Sequence, residues 1–222
     1  VSNRFKPANA LRAEDWSVRP LDPMVGRALI ARYHYAGGTS NTVTACHGLF
    51  HRDSRQASGV AWWIPPTKGA AQACLRGNAE MQAADVSAAH TWQSVLSLSR
   101  LVALPGLPTN AASFLMMRSA AQVSANWTVL ATWADTERGH TGAIYRAANW
   151  ESLGLSVPTP VWVDGNGRRV AKKAGPKTRT NAEMRELGHV FLGYFAKHRF
   201  RLIRRRFPVM HQAPQLPLFG AA

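Results

Sequence analysis

The sequence predicts a mixed α+β domain, and three observations carry the prediction. Short β-rich runs at 42–50, 59–64, 94–104 and 128–134 are bounded by turn residues. Stretches of helical periodicity follow Asp22-Pro23, Pro108-Thr109-Asn110 and Gly139-His140-Thr141-Gly142, so helices interrupt the strands. The order lacks the repeated alternation of a doubly wound sheet. Hydrophobic residues make up 46% of the 222-residue chain, enough for a core without disulfide staples.

Taken in order, Val25, Leu29 and Ile30 give the first helix its apolar positions, and Gly37-Gly38 end it. Runs 42–50 and 59–64, separated by a polar turn, form an antiparallel hairpin that Pro65-Pro66 closes. An Ala-rich excursion with a short helix fills 68–89. Run 94–104 is apolar except for Ser97, Ser99 and Arg100, and a lone charge there is aimed at something. The next helix, capped by Thr109 or Asn110, starts directly after that strand. Strand, short turn and helix N-terminus gather unpaired backbone N–H groups into an anion cradle. Run 128–134 ends on Asp135, a helix covers 143–149, residues 150–155 turn the chain, and 161–163 is a last strand.

Charge is concentrated near the end. The chain carries 27 Lys+Arg against 12 Asp+Glu, a net +15. Residues 168–206 hold 13 of the basic residues against only Glu183 and Glu186. A polyanion, first of all nucleic acid, is the expected partner. Thr180-Asn181-Ala182-Glu183 has capping-box spacing, and Met184, Leu187, Val190, Phe191, Tyr194 and Phe195 recur at helical steps. These predict a basic helical extension over 168–207, packed on a catalytic domain of residues 1–167. Lys172, Lys173, Lys197, Arg199, Arg201 and Arg204-Arg205-Arg206 are its expected phosphate contacts. Residues 208–222 read as a tail without a fold of its own.

Several function classes lose their signals. No glycine fingerprint leads into a helix, and P-loop, G-x-S-x-G and H-E-x-x-H strings are absent. Cys46 and Cys74 make neither a disulfide framework nor a zinc spacing. No apolar run is long enough to span a bilayer, so a soluble intracellular protein is expected.

The order of elements resembles the GNAT-type N-acyltransferase fold: a largely antiparallel central sheet, flanking helices, and a splayed strand pair that receives a thioester donor. Here the pair is 94–104 and 128–135. A narrower resemblance, over roughly 32–162, is to the Mom family of phage DNA-modification proteins. It rests on Tyr33-His34-Tyr35-Ala36, Cys46-His47-Gly48, Leu98-Ser99-Arg100-Leu101, Ala112-Ser113-Phe114 and Ala134-Asp135, and above all on the string ADTERGHTGAIYRAANW that begins at Ala134. The family implies conversion of adenine N6 in duplex DNA to an acetamido (carbamoylmethyl) group, protecting phage DNA from restriction. It also implies a phage- or prophage-encoded protein in the bacterial cytoplasm. A noncatalytic basic DNA-binding protein or an ordinary N-acyltransferase is the alternative.

The resemblance and the residue types suggest roles. Asp135 is an acceptor or base for N6, with helix capping as its other use. His47 and His140 are candidate bases or relays, and with Asp135 they would make a 2-His-1-carboxylate iron site if they converge. Tyr145 faces the donor. Ser99, Arg100, Thr109, Asn110 and Ser113 are candidate donor contacts, Arg100 having a structural ion pair as its alternative. Tyr33, His34 and Tyr35 bound or stack on an extruded base. The donor is open: the loop Pro105-Gly106-Leu107-Pro108 departs from the usual coenzyme A loop, and attack on acetyl-CoA gives an amide, so a glycine- or acetamide-related donor is as compatible. Finally, Gln215-Leu216-Pro217-Leu218-Phe219 resembles the Gln-Leu-x-Leu-Phe motif that docks on the bacterial sliding clamp.

Overall fold

The computed structural model describes residues 10–204. In chain order the elements are β1 (Trp16–Pro20), α1 (Pro23–Tyr33), β2 (Ala45–His51), β3 (Gly59–Ile64), α2 (Lys68–Leu75), β4 (Val95–Ala103), α3 (Ala111–Gln122), β5 (Val129–Asp135), α4 (Ala143–Ala147) and β6 (Glu151–Leu155). Then come β7 (Thr159–Val163), β8 (Arg169–Val170), β9 (Lys173–Ala174), β10 (Lys177–Thr178), α5 (Asn181–Glu186), β11 (Val190–Phe195) and β12 (Lys197–Ile203). The expected hairpin is β2–β3, with Cys46 opposite Trp62.

Seven strands form one sheet in the order β1-β2-β3-β4-β5-β12-β6. Every neighbouring pair is antiparallel except β4 and β5. Those two pair only at Val95–Val129, Leu96–Leu130 and Ser97–Ala131 and then part, giving the splay expected of a GNAT-type fold. Strand alternation sends side chains to both faces. Trp63, Leu96, Leu130 and Phe200 pack with α3 and α4 on one side. On the other, α1 covers Val60 and Trp62, and α2 covers Val95, Val129 and Ala131. Among the described residues no helix is long and apolar enough to cross a membrane.

The C-terminal segment corrects the expectation of a basic helical extension. The capping box at Thr180 and Glu183 is present, but the helix stops at Glu186. Gly188 adopts φ +75°, and the Gly188 and His189 amides bond the Arg185 and Met184 carbonyls at 2.9 and 3.0 Å. This is a Schellman stop, which glycine permits at no steric cost. The following residues are strands, and β12 lies between β5 and β6 inside the main sheet. In Lys-His-Arg-Phe-Arg-Leu the basic residues alternate with apolar ones, the period of a strand. Of residues 150–155, expected as a turn, Glu151–Leu155 form the strand β6.

Two arginines therefore point inward. Arg201 is fully buried: it pairs with Glu151 at 2.7 Å, donates to the Cys74 and Leu75 carbonyls, and bonds the Ala84 carbonyl. Arg199 donates to the Ala73 and Leu153 carbonyls. Arg204 caps the end of the α3 region through the Val123, Ser124 and Trp127 carbonyls. All three are held by backbone carbonyls, and Arg201 by the Glu151 carboxylate as well. Arg205, Arg206 and the Gln215–Phe219 string lie outside the described residues.

Candidate active site in the strand splay

Where β4 and β5 part, a cavity of about 410 Å³ opens. Leu98 and Ser99 line it from β4, Thr132 and Ala134 from β5, His34 and Tyr35 from beyond α1, and the segment 139–145 from the loop and start of α4. Four stretches remote in sequence thus meet at one place.

Asp135, buried at the end of β5, stands beside the cavity and is tied to it through Tyr35. Its Oδ2 accepts from Arg169 Nη1 at 2.6 Å and lies 3.7 Å from Lys197 Nζ, and Tyr35 Oη donates to it at 3.4 Å. Its Oδ1 accepts the Glu137 amide at 3.3 Å, so it also caps the 3-10 turn Thr136–Arg138. Burial alone would raise its pKa, but the Arg169 hydrogen bond and the Lys197 charge outweigh it and hold the carboxyl below its usual range. Asp135 is ionised, a strong acceptor and a weak base. Arg169 also bonds Glu137 at 2.5 Å.

The aromatic wall follows. His34 stacks on Tyr35 with centroids 4.4 Å apart, and His140 meets Tyr35 edge-on at 5.5 Å. His34 Nδ1 accepts the Ala36 amide at 3.1 Å, so the neutral ring carries its proton on Nε2. Burial, with Arg100 and His140 nearby, pushes the His34 pKa down to about 4. The Tyr35 phenol is pushed up, first by burial and then by the Asp135 charge. Tyr145 is buried between Trp150 and Phe200, and burial raises its pKa although Thr132 hydrogen-bonds its side chain. Gly142, at φ +74°, begins α4 against the Phe200 ring, which leaves no room for a Cβ.

Other expected residues lie elsewhere. His47 is buried under α3, its Nδ1 2.7 Å from Ser119 Oγ, which also accepts from Trp63 Nε1. Burial lowers its pKa. It does not join Asp135 and His140, and among the described residues no group of three His, Cys, Asp or Glu is placed to hold a metal. The residues do not fit an iron site.

The donor contacts are also redistributed. Arg100 donates to the Gly38 carbonyl at 2.8 Å and the Ser99 carbonyl at 2.7 Å, tying the turn after α1 to β4 instead of pairing with a carboxylate. Asn110 occupies the N-cap position of α3 without capping it, because its Oδ1 accepts the Leu11 amide at 2.6 Å. Thr109 is exposed, and Ser113 Oγ donates to the Asn110 carbonyl at 2.9 Å. Tyr33 is exposed under Arg32 and does not line the cavity. Lys173 is exposed, and Lys172 bonds Asn181 at 2.8 Å. The reading of the sequence missed Arg169 and Lys197 as partners of Asp135, since their only signal was membership of a basic run.

No curated protein matches this sequence. Among solved structures the chain is similar to an N-acetyltransferase from Staphylococcus aureus Mu50, at 11% identity over 85% of this chain and 98% of that one, with TM-score 0.46. It is similar to a polyamine N-acetyltransferase from Drosophila melanogaster, at 12% identity over 85% and 100%, with TM-score 0.45. An acetyltransferase from Salmonella typhimurium with its cofactor acetyl-CoA aligns at 8% identity over 90% and 98%, with TM-score 0.45. A family model described as the Mom protein family matches residues 15–206, and with most of its length so matched the chain belongs to that family.

Proposed function

We propose that the chain is a transferase that modifies the exocyclic N6 of adenine in duplex DNA with a carbamoylmethyl group, protecting the DNA from restriction. One observation supports this reading above the others. The splay cavity is lined by Tyr35 and His140, and Tyr35 bonds the ionised Asp135 carboxylate beside it. Adenine N6 is a poor nucleophile because its lone pair is delocalised, so it needs close positioning and an acceptor for its N–H. Asp135 supplies the acceptor, and Tyr145 and neutral His34 line the cavity with an O–H and an N–H that can donate to an oxygen of the transferred group.

The splay has room for a donor, because beyond Ser97 and Ala131 the facing strand edges no longer bond each other, and Ala112 at the start of α3 lines the same cavity. A carbamoylmethyl product requires N6 to attack a methylene carbon that carries a leaving group, with the N6 proton passing to an acceptor, whereas attack on the carbonyl of an acyl thioester would give the amide. In this reading duplex DNA is the partner, and Gln215, Leu216, Leu218 and Phe219 tether the enzyme to the sliding clamp on newly replicated DNA.

Mass spectrometry of nucleosides from DNA of cells making the protein tests the reading. Carbamoylmethyl-adenine is expected, and Asp135→Asn and Tyr145→Phe should each lower it strongly. Acetyl-adenine would reassign the chemistry to simple acyl transfer. Unaltered adenine, with folded protein present, would leave a noncatalytic DNA-binding protein.

A further inference from the structure

A second cavity, of about 130 Å³, lies on the other side of Asp135. Its walls are Asp135, Trp162, Arg169, Val170, Phe195 and Lys197, with the strand residues before Trp162. We propose that this cavity is the base pocket, which receives an adenine turned out of the duplex and presents its N6 to Asp135. The inference rests on the DNA-adenine reading above and assigns the place of its acceptor.

Topology first sets the excursion apart. β6 and β12 are antiparallel neighbours, which a turn of a few residues could join. Instead 41 residues (156–196) intervene, building the separate sheet β11-β7-β8 and the β9–β10 hairpin. This excursion supplies most walls of the smaller cavity, and it docks on the main sheet through Arg169 to Asp135 and Glu137. Exposed Arg168 and Lys173 lie on the same excursion, available to phosphates flanking an extruded base, while Lys177 is paired with Glu183.

The chemistry of the walls points to a base with an exocyclic amine. The buried Asp135 carboxylate at this wall matches an amine donor. Adenine N6 and cytosine N4 both offer one, and the DNA-adenine reading selects adenine between them. Thymine would set a carbonyl oxygen against the carboxylate, as would guanine at its O6 edge. Trp162 and Phe195 add apolar ring surface, and the volume, well under the roughly 300–1,000 Å³ of sites for whole small ligands, suits one base. Tyr35 lines the larger cavity and bonds Asp135, which lines the smaller one. Donor and amine therefore approach from opposite sides of that contact.

The test uses the full chain and a duplex carrying 8-azidoadenine opposite an abasic site, irradiated and mapped by peptide mass spectrometry. Label on 159–170 or Phe195 is expected. Label on 98–103 or 139–145, or on no site, overturns the assignment. Without irradiation, a duplex with adenine opposite the abasic site should bind about tenfold tighter than one with guanine. Val170→Phe, which fills the cavity from a part-exposed position, should abolish that preference and leave affinity for intact duplex unchanged. A preference that survives Val170→Phe also overturns it. If cellular adenine is modified while the label falls in the larger cavity, only the pocket is wrong. If adenine is unmodified while the label falls here, the pocket stands and the reaction fails.

Discussion

Arg169 reaches across from the excursion to Asp135 at the end of β5, Nη1 to Oδ2, at 2.6 Å, with the Arg169 side chain 21% exposed and that of Asp135 1%. A buried carboxylate is tolerated only when paired and hydrogen-bonded, so the excursion and the site stabilise each other through this contact. A double-mutant cycle of Arg169→Gln and Asp135→Asn should give a coupling of about 0.5–3 kcal/mol, the range of directly contacting pairs. In Arg169→Gln alone the Asp135 carboxyl should titrate at higher pH, because burial is then less opposed. A coupling near zero would separate the two.

His34 predicts a pH dependence. Its folded pKa is about 4 against an ordinary 6.5, so the unfolded chain binds more protons between those values. This contribution to stability is complete above about pH 6.5 and is lost progressively as the pH falls toward 4. Urea midpoints of wild type and His34→Gln, compared across that window, should diverge, the wild type falling more steeply. Parallel curves would refute the assignment.

Gly142→Ala should destabilise by about 1–3 kcal/mol, because the new Cβ meets the Phe200 ring at a backbone conformation that side chains rarely adopt. Gly165→Ala, in open space, should change stability by no more than about 0.5 kcal/mol. Thermal melts of the two variants make the comparison, and a Gly142→Ala protein as stable as wild type would show that α4 can shift away from Phe200.

The basic residues should divide by role in DNA binding. Lys172→Gln, Lys173→Gln and Lys177→Gln together should flatten the salt dependence by about one to three units of log K against log salt. Arg201→Gln should leave the slope alone and lower the melting temperature, since its guanidinium is bound to Glu151 and backbone carbonyls. A change of slope in Arg201→Gln would mean that the strand opens on DNA.

Local patterns made much of the sheet legible in the sequence. The hairpin β2–β3, strands β4 and β5 and the helix between them are local patterns, and their splay followed from the resemblance. The C-terminal third was not legible, because Met184 to Phe195 satisfies a helical spacing until Gly188 is read as a stop. In β12 the alternation was visible, but three basic residues on one face suggested solvent, whereas carbonyls left free near α2 and β6 accept Arg199 and Arg201. At the site, Tyr35, His34, Asp135, His140 and Tyr145 come together from positions up to 111 apart in number. His47 does not, since its partner Ser119 lies 72 positions away and nothing near His47 announces it. Arg169 was one member of the basic run 168–206, and only the course of the excursion gives it a carboxylate.

The placing of β12 between β5 and β6 also sets a timetable during synthesis. β5 leaves the ribosome with one edge unpaired, and the strand that covers it begins only after 61 further residues (136–196). At roughly 5–20 residues per second, the nascent chain carries that open edge for several seconds. Asp135 emerges before either Arg169 or Lys197, the cations that hold it ionised. A polypeptide halted before Lys197 would therefore have an unsealed sheet and would lack one of the two cations that face Asp135.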